Sequence, residues 1–164
     1  MRLSALLLTA IALLLPASSI TQDQADHPDR DHAEHDQRVP TRRFDGKWQT
    51  TVSCDPSRGA LGFSYQFVSE VRDGNFHGVR GTEGKPSSLV IDGTIEDDGS
   101  GKLYASGYTG SKEFVPGVDT PRGTSFGYHI RAHFDEKHGD GTRIEGRPCT
   151  LEFDRMDRDD HHEH

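Results

Sequence analysis

The 164 residues carry 27 Asp and Glu against 19 Lys and Arg, a net charge of −8, and only 31% are hydrophobic. Basic residues scattered among acids offer no positive stripe to a phosphate backbone, which argues against nucleic acid and anionic membrane surfaces as partners. The only two cysteines, Cys54 and Cys149, lie too far apart for the short spacing of a redox motif.

Met1-Arg2 places one charge ahead of an apolar run from Ala5 to Leu15, which Pro16 breaks. The run is roughly half of the ~20 residues a membrane-spanning helix needs, so it reads as a secretion signal rather than an anchor. Ala17 and Ser19 are the small residues of a cleavage site after Ser19, and residues 1–19 are expected to be removed. Residues 20–43 are almost devoid of large apolar side chains and include Asp26-His27-Pro28-Asp29-Arg30-Asp31-His32, the composition of a disordered acidic arm. Residues 157–164 form a shorter tail of the same kind. The span 44–156, about 113 residues, is enough for one domain with a modest core. No internal repeat and no second domain is visible in it.

Within that span apolar residues recur with period two, and Gly-containing polar clusters interrupt them. Trp48, Thr50, Val52 and Cys54 share one face of a first strand, and Phe63, Tyr65 and Phe67 one face of a second. Arg72-Asp73-Gly74-Asn75 is a hairpin turn leading into a strand from Phe76 to Arg80. After a loop at Glu83-Gly84-Lys85-Pro86, Leu89, Ile91 and Ile95 mark a strand that bends at Gly93. Glu96 to Gly99 turns the chain into a strand from Lys102 to Tyr108, and a long connection runs from Thr109 to Thr124. Tyr128, Ile130, Ala132 and Phe134 then alternate with His129, Arg131 and His133, and Arg143 to Phe153 reads as the last strand, with Cys149, Leu151 and Phe153 facing together.

An exported chain with two cysteines is expected to pair them, because its compartment is oxidising. The Cys54–Cys149 bridge would close a loop of about 95 residues and join the first strand to the last. The expected fold is therefore all-β: a small antiparallel meander barrel of seven to eight strands closed by one disulfide, with disordered termini. A two-sheet β-sandwich is the alternative.

Phe44-Asp45-Gly46-Lys47-Trp48 carries a Gly-x-Trp that resembles the opening of the calycin group, meaning lipocalins, avidins and small periplasmic metalloprotease inhibitors. In that group a basic residue near the end of the last strand packs on the tryptophan, and the resemblance gives that place to Arg147 or Arg155. The whole span from Phe44 to Phe153 resembles a family of small exported bacterial proteins. Its landmarks are the Trp48 to Cys54 strand, His77-Gly78 with Glu83-Gly84-Lys85-Pro86, Gly123-Thr124 before Tyr128-His129, and Arg147-Pro148-Cys149. Both resemblances imply fold and export, and neither implies an activity.

No Gly-x-Ser-x-Gly, H-E-x-x-H or P-loop is present, and Asp97-Asp98 and Asp159-Asp160 sit in a turn and a tail, where water holds a carboxylate near its ordinary behaviour. Glu83 near His77 is the one core pairing that invites a catalytic test. The expectation is a non-enzyme. His27, His32 and His35 in the arm and His161, His162 and His164 in the tail, interleaved with carboxylates, suit loosely held Zn, Ni or Cu; no tightly bound cofactor is expected. His129 and His133 share a strand face about 13 Å apart at ~3.3 Å per residue, too far to share a metal, and are expected to point outward.

Taken together, the sequence predicts an exported (periplasmic or secreted), monomeric, non-enzymatic binding protein. A small apolar molecule or an exported protein partner would sit at the barrel mouth, lined by Trp48, Tyr65, Phe67, Tyr128 and Phe134, unless those rings simply fill the core. A periplasmic protease inhibitor, or a divalent-metal binder acting through its tails, is the alternative.

Overall fold

A computed structural model describes residues 41–117 and 120–156. The expected signal segment, the acidic arm up to residue 40 and the tail 157–164 lie outside the described residues, and the six arm and tail histidines with them.

Eight antiparallel strands follow in order: β1 (Gly46–Cys54), β2 (Phe63–Arg72), β3 (Asn75–Arg80), β4 (Leu89–Ile95), β5 (Ser100–Tyr108), β6 (Ser125–Phe134), β7 (His138–Arg143) and β8 (Cys149–Arg155). Each pairs with its neighbours in sequence, and β1 pairs with β8 from Trp48↔Arg155 to Cys54↔Cys149, which closes a barrel. An unbroken cycle of ladders rules out the two-sheet sandwich. Cys54 and Cys149 stand directly opposite each other in the closing ladder and are bonded.

The last expected strand, Arg143 to Phe153, is shorter than expected: residues 144–148 form a turn, β8 starts at Cys149, and a further strand, β7, precedes the turn. The inward positions of β7 are Gly139 and Gly141, so no apolar side chain announces it. The space those glycines leave is occupied from β6: a Cβ on Gly139 would lie 2.8 Å from the Phe134 ring, and one on Gly141 3.3 Å from Ile130 Cγ2. The long connection contains a short 3₁₀ turn, Lys112–Phe114, held against the β1–β2 loop by the Leu61 N–H donating to the Glu113 carbonyl at 2.7 Å.

The two ends of the barrel are packed differently. At the end where β1 begins, Phe44, Trp48, Phe76, Phe134 and Phe153 form a buried aromatic plug, with Trp48 edge-on to Phe134 at 5.5 Å and Phe134 against Phe153 at 4.7 Å. The Trp48 indole N–H donates to the Phe44 carbonyl at 2.9 Å. Arg155 lies over the Trp48 ring, 5.7 Å from its centroid, and donates to the carbonyls of Arg43, Glu136 and Asp45. The middle of the barrel is filled by Val52, Ile91, Leu103, Ile130 and Leu151. The buried Thr50 and Ser69 hydroxyls, 2.7 Å apart, satisfy each other there.

Candidate binding site

The opposite end, beside the disulfide, is built differently. Phe63, Tyr65 and Phe67 alternate inward on β2, yet they and Phe126 of β6 remain only partly buried against the core. The β2–β3 ladder stops at Ser69↔Gly78, so Phe63 to Val68 have no β3 partner and the wall parts there. Rings that would fill the core of a closed tube are thereby left facing a mouth. Two stacked pairs stand in it: Phe63 on Tyr65, with centroids 5.4 Å apart, and Phe126 on Tyr128, 6.1 Å apart. In an eight-stranded meander β2 and β6 stand across the barrel from each other, as do β3 and β7.

An arginine covers each tyrosine. The Arg80 guanidinium sits 4.2 Å from the Tyr65 centroid and that of Arg143 4.0 Å from the Tyr128 centroid, within the range of a cation–π contact. Arg80 also donates to the Ser87 carbonyl and Arg143 to the Glu145 carbonyl. Burial pushes the Tyr65 phenol well above its ordinary pKa, the neighbouring Tyr128 adds to the rise, and Arg80 and Arg143 both oppose it. Tyr128 is raised by the same burial, against Arg143. Both phenols are therefore neutral hydroxyl donors at physiological pH.

Below the rim, Arg147 is only 5% exposed. It donates from Nε to the Asp55 carbonyl at 2.7 Å, from Nη1 to the Phe114 carbonyl at 2.8 Å and from Nη2 to the Leu61 carbonyl, while lying over the Phe63 ring. Desolvation lowers its pKa, with Arg143 adding to the fall and Asp55 opposing it. Of the two basic residues proposed to cover Trp48, Arg155 does so. Arg147 instead ties three loops into the floor of the mouth.

The five aromatics expected to share a mouth fall into two groups. Tyr65, Phe67 and Tyr128 stand at the disulfide end. Trp48 and Phe134 do not line it: they are 0% and 1% exposed, in the plug at the far end, because Phe134 closes the strand that Tyr128 opens. The rings missed by the sequence reading as lining residues are Phe63 and Phe126, and the arginines are Arg80 and Arg143. A signal for all of them exists. Phe63-x-Tyr65 is followed fifteen residues after the tyrosine by Arg80, and Phe126-x-Tyr128 by Arg143 at the same interval. Hairpin β2–β3 thus recurs as β6–β7 sixty-three residues later in the same register, Ser69↔Gly78 matching Ala132↔Gly141. The two hairpins therefore share a register and the Phe-x-Tyr and Arg spacing.

The four histidines of the barrel strands lie on its outer face, and three of them stand beside a carboxylate. Nδ1 of His77 is 2.6 Å from Asp92, that of His129 2.6 Å from Glu145, and that of His138 2.8 Å from Asp154. The hydrogen bond from His129 holds the Glu145 carboxyl below its usual range. His77 is thus committed to Asp92, and Glu83 stands exposed in the β3–β4 loop. Among the described residues no group of three or more His, Cys, Asp or Glu is placed to hold a metal ion. Likewise, no helix among them is long and apolar enough to cross a membrane. Comparison with family models, curated proteins and solved structures finds no match for the chain.

Proposed function

We propose that this protein is an exported, non-enzymatic binding module that holds a small apolar ligand in the aromatic mouth at the disulfide end of its barrel. One observation carries the reading: the barrel is packed shut through its middle and far end, while Phe63, Tyr65, Phe67 and Phe126 stay partly exposed at one opening. Aromatic side chains left half-wet around a concavity are the usual lining of ligand sites. The filled interior implies a ligand seated across the mouth rather than swallowed by the barrel. Export is supported by the Cys54–Cys149 bond, which persists in oxidising compartments. The calycin-like reading is supported by the barrel and by Arg155 lying over Trp48.

The test uses N-phenyl-1-naphthylamine, a neutral probe that fluoresces on leaving water. The wild type is expected to bind it saturably, and the Phe63→Ser and Phe126→Ser variants are expected to lose that binding. Ile144→Ser, which alters an exposed apolar residue of the β7–β8 connection, should leave it unchanged. No saturable binding by the wild type, or binding indifferent to the mouth variants, refutes the reading.

A further inference from the structure

The mouth carries more charge than an apolar site needs. Arg80 and Arg143 lie flat on Tyr65 and Tyr128, and among the described residues neither guanidinium has a carboxylate partner. Carboxylates are not scarce in this acidic protein. Arg42, Arg43 and Arg72 take them, and Glu145, whose backbone carbonyl Arg143 bonds, turns its carboxylate outward to His129. A guanidinium stacked on a ring keeps its N–H edge free for planar, bidentate contact with an oxyanion. Each arginine has one nitrogen bonded to a backbone carbonyl, which fixes the side chain and leaves other donors open. Neither phenol hydroxyl has a hydrogen-bond partner among the described residues, and neither is a sealed, unsatisfied atom. Each therefore keeps its hydrogen-bonding capacity for a ligand.

Placement adds to this. The two Tyr–Arg pairs belong to the repeated hairpins β2–β3 and β6–β7 on opposite walls, so they face each other across the mouth. Both guanidiniums act on the one Tyr65 hydroxyl, with Arg80 the stronger. Like charges brought together without a counter-ion repel each other, and an anion seated between them relieves that repulsion while gaining charge-assisted hydrogen bonds.

We propose that the ligand of this mouth is an amphiphilic anion, whose apolar body rests on Phe63, Phe67 and Phe126 and whose oxyanion headgroup is held jointly by Arg80, Arg143 and the Tyr65 and Tyr128 hydroxyls. The inference rests on the mouth being the binding site and specifies what it selects.

Two probes share one ring skeleton: N-phenyl-1-naphthylamine is neutral, and 8-anilinonaphthalene-1-sulfonate adds a sulfonate. The wild type should bind the sulfonate at least about tenfold more tightly at low salt, and raising the ionic strength should narrow that gap. Arg80→Gln and Arg143→Gln should each cost about tenfold in sulfonate binding and little in binding of the neutral probe. Arg131→Gln, which removes an outward arginine of β6, should change neither. The wild-type comparison requires no variant to fold, and near-UV circular dichroism checks those that are made. Equal affinity for the two probes overturns the anion proposal and leaves the mouth standing as an apolar site. A loss equal to that of Arg131→Gln also overturns it, as non-specific charge. Binding of neither probe removes the mouth reading itself.

Discussion

Replacing Arg147 by methionine tests the account of how the mouth is held together. Methionine keeps the length and apolar stem of the side chain but removes three hydrogen bonds to the carbonyls of Asp55, Leu61 and Phe114. Hydrogen bonds to a charged group are worth about 1.5–3 kcal/mol each, so three give an upper range of about 4.5–9 kcal/mol. Two effects reduce this. The variant no longer buries a guanidinium, and carbonyls freed in surface loops recover part of their bonding from water. A net loss of about 3 kcal/mol remains, a large share of the roughly 5–15 kcal/mol that holds a domain together. With a urea slope of about 1.5 kcal/mol/M, the unfolding midpoint should fall by about 2 M. Arg147→Lys should recover little, because one ammonium cannot meet three carbonyls that a planar fork reaches at once. The assay is equilibrium urea unfolding followed by tryptophan fluorescence, since Trp48 lies in the plug and reports global loss of the barrel. A midpoint for Arg147→Met within about 0.3 M of the wild type would show that the three bonds are not worth their burial.

Cys54→Ser or Cys149→Ser opens a loop whose closure contributes on the order of 4 kcal/mol in chain-entropy estimates, so the melting temperature should drop steeply; an unchanged melting curve under reductant contradicts this. Thr50→Val strands the buried Ser69 hydroxyl, at a cost of about 1–3 kcal/mol, and adding Ser69→Ala should restore most of it; additive losses in the double variant exclude the proposed pairing. The raised phenols set an alkaline limit. The fold accepts Tyr65 and Tyr128 only as neutral groups, so the stability they lend is intact below the ordinary phenol pKa of about 10 and is lost as the pH climbs from there towards their raised values. Phenolate absorbance at 295 nm should therefore show a late step coincident with loss of near-UV dichroism, absent from a Tyr65→Phe, Tyr128→Phe protein. Complete ionisation of all four tyrosines with the fold intact would disprove it.

Alternation of apolar residues made seven strands legible, and the cysteine spacing made closure legible, because both features act over distances the sequence displays directly. Strand β7 was hidden because its inward side chains are hydrogens, so its packing volume is written into Phe134 and Ile130 on the neighbouring strand. Period two also tells which residues face inward but not how deep they lie. Depth depends on strand direction and register, which is why Trp48 and Phe134 were grouped with Tyr65 although they occupy the other end. Nothing in the alternation marks Arg80 and Arg143, whose contacts with the tyrosines are made across neighbouring strands.

The repeated hairpin separates what packing requires from what the mouth requires. At the plugged end the matched positions do not keep their residues: Val71 faces Phe76 in the first hairpin, whereas Phe134 faces Gly139 in the second. In each, one ring fills the space, carried by the outgoing strand in one hairpin and the incoming strand in the other. A core asks only that volume be filled, and hydrophobic groups of suitable total size satisfy it interchangeably. At the mouth three positions agree in identity, with phenylalanine, tyrosine and arginine recurring in the same stacking, while Phe67 is matched by Ile130. Filling space does not call for a phenol beneath a guanidinium, and still less for two such pairs facing each other without a counter-ion among the described residues. The recurrence of a phenol beneath a guanidinium on both walls is what a site for a charged, flat-bodied ligand requires.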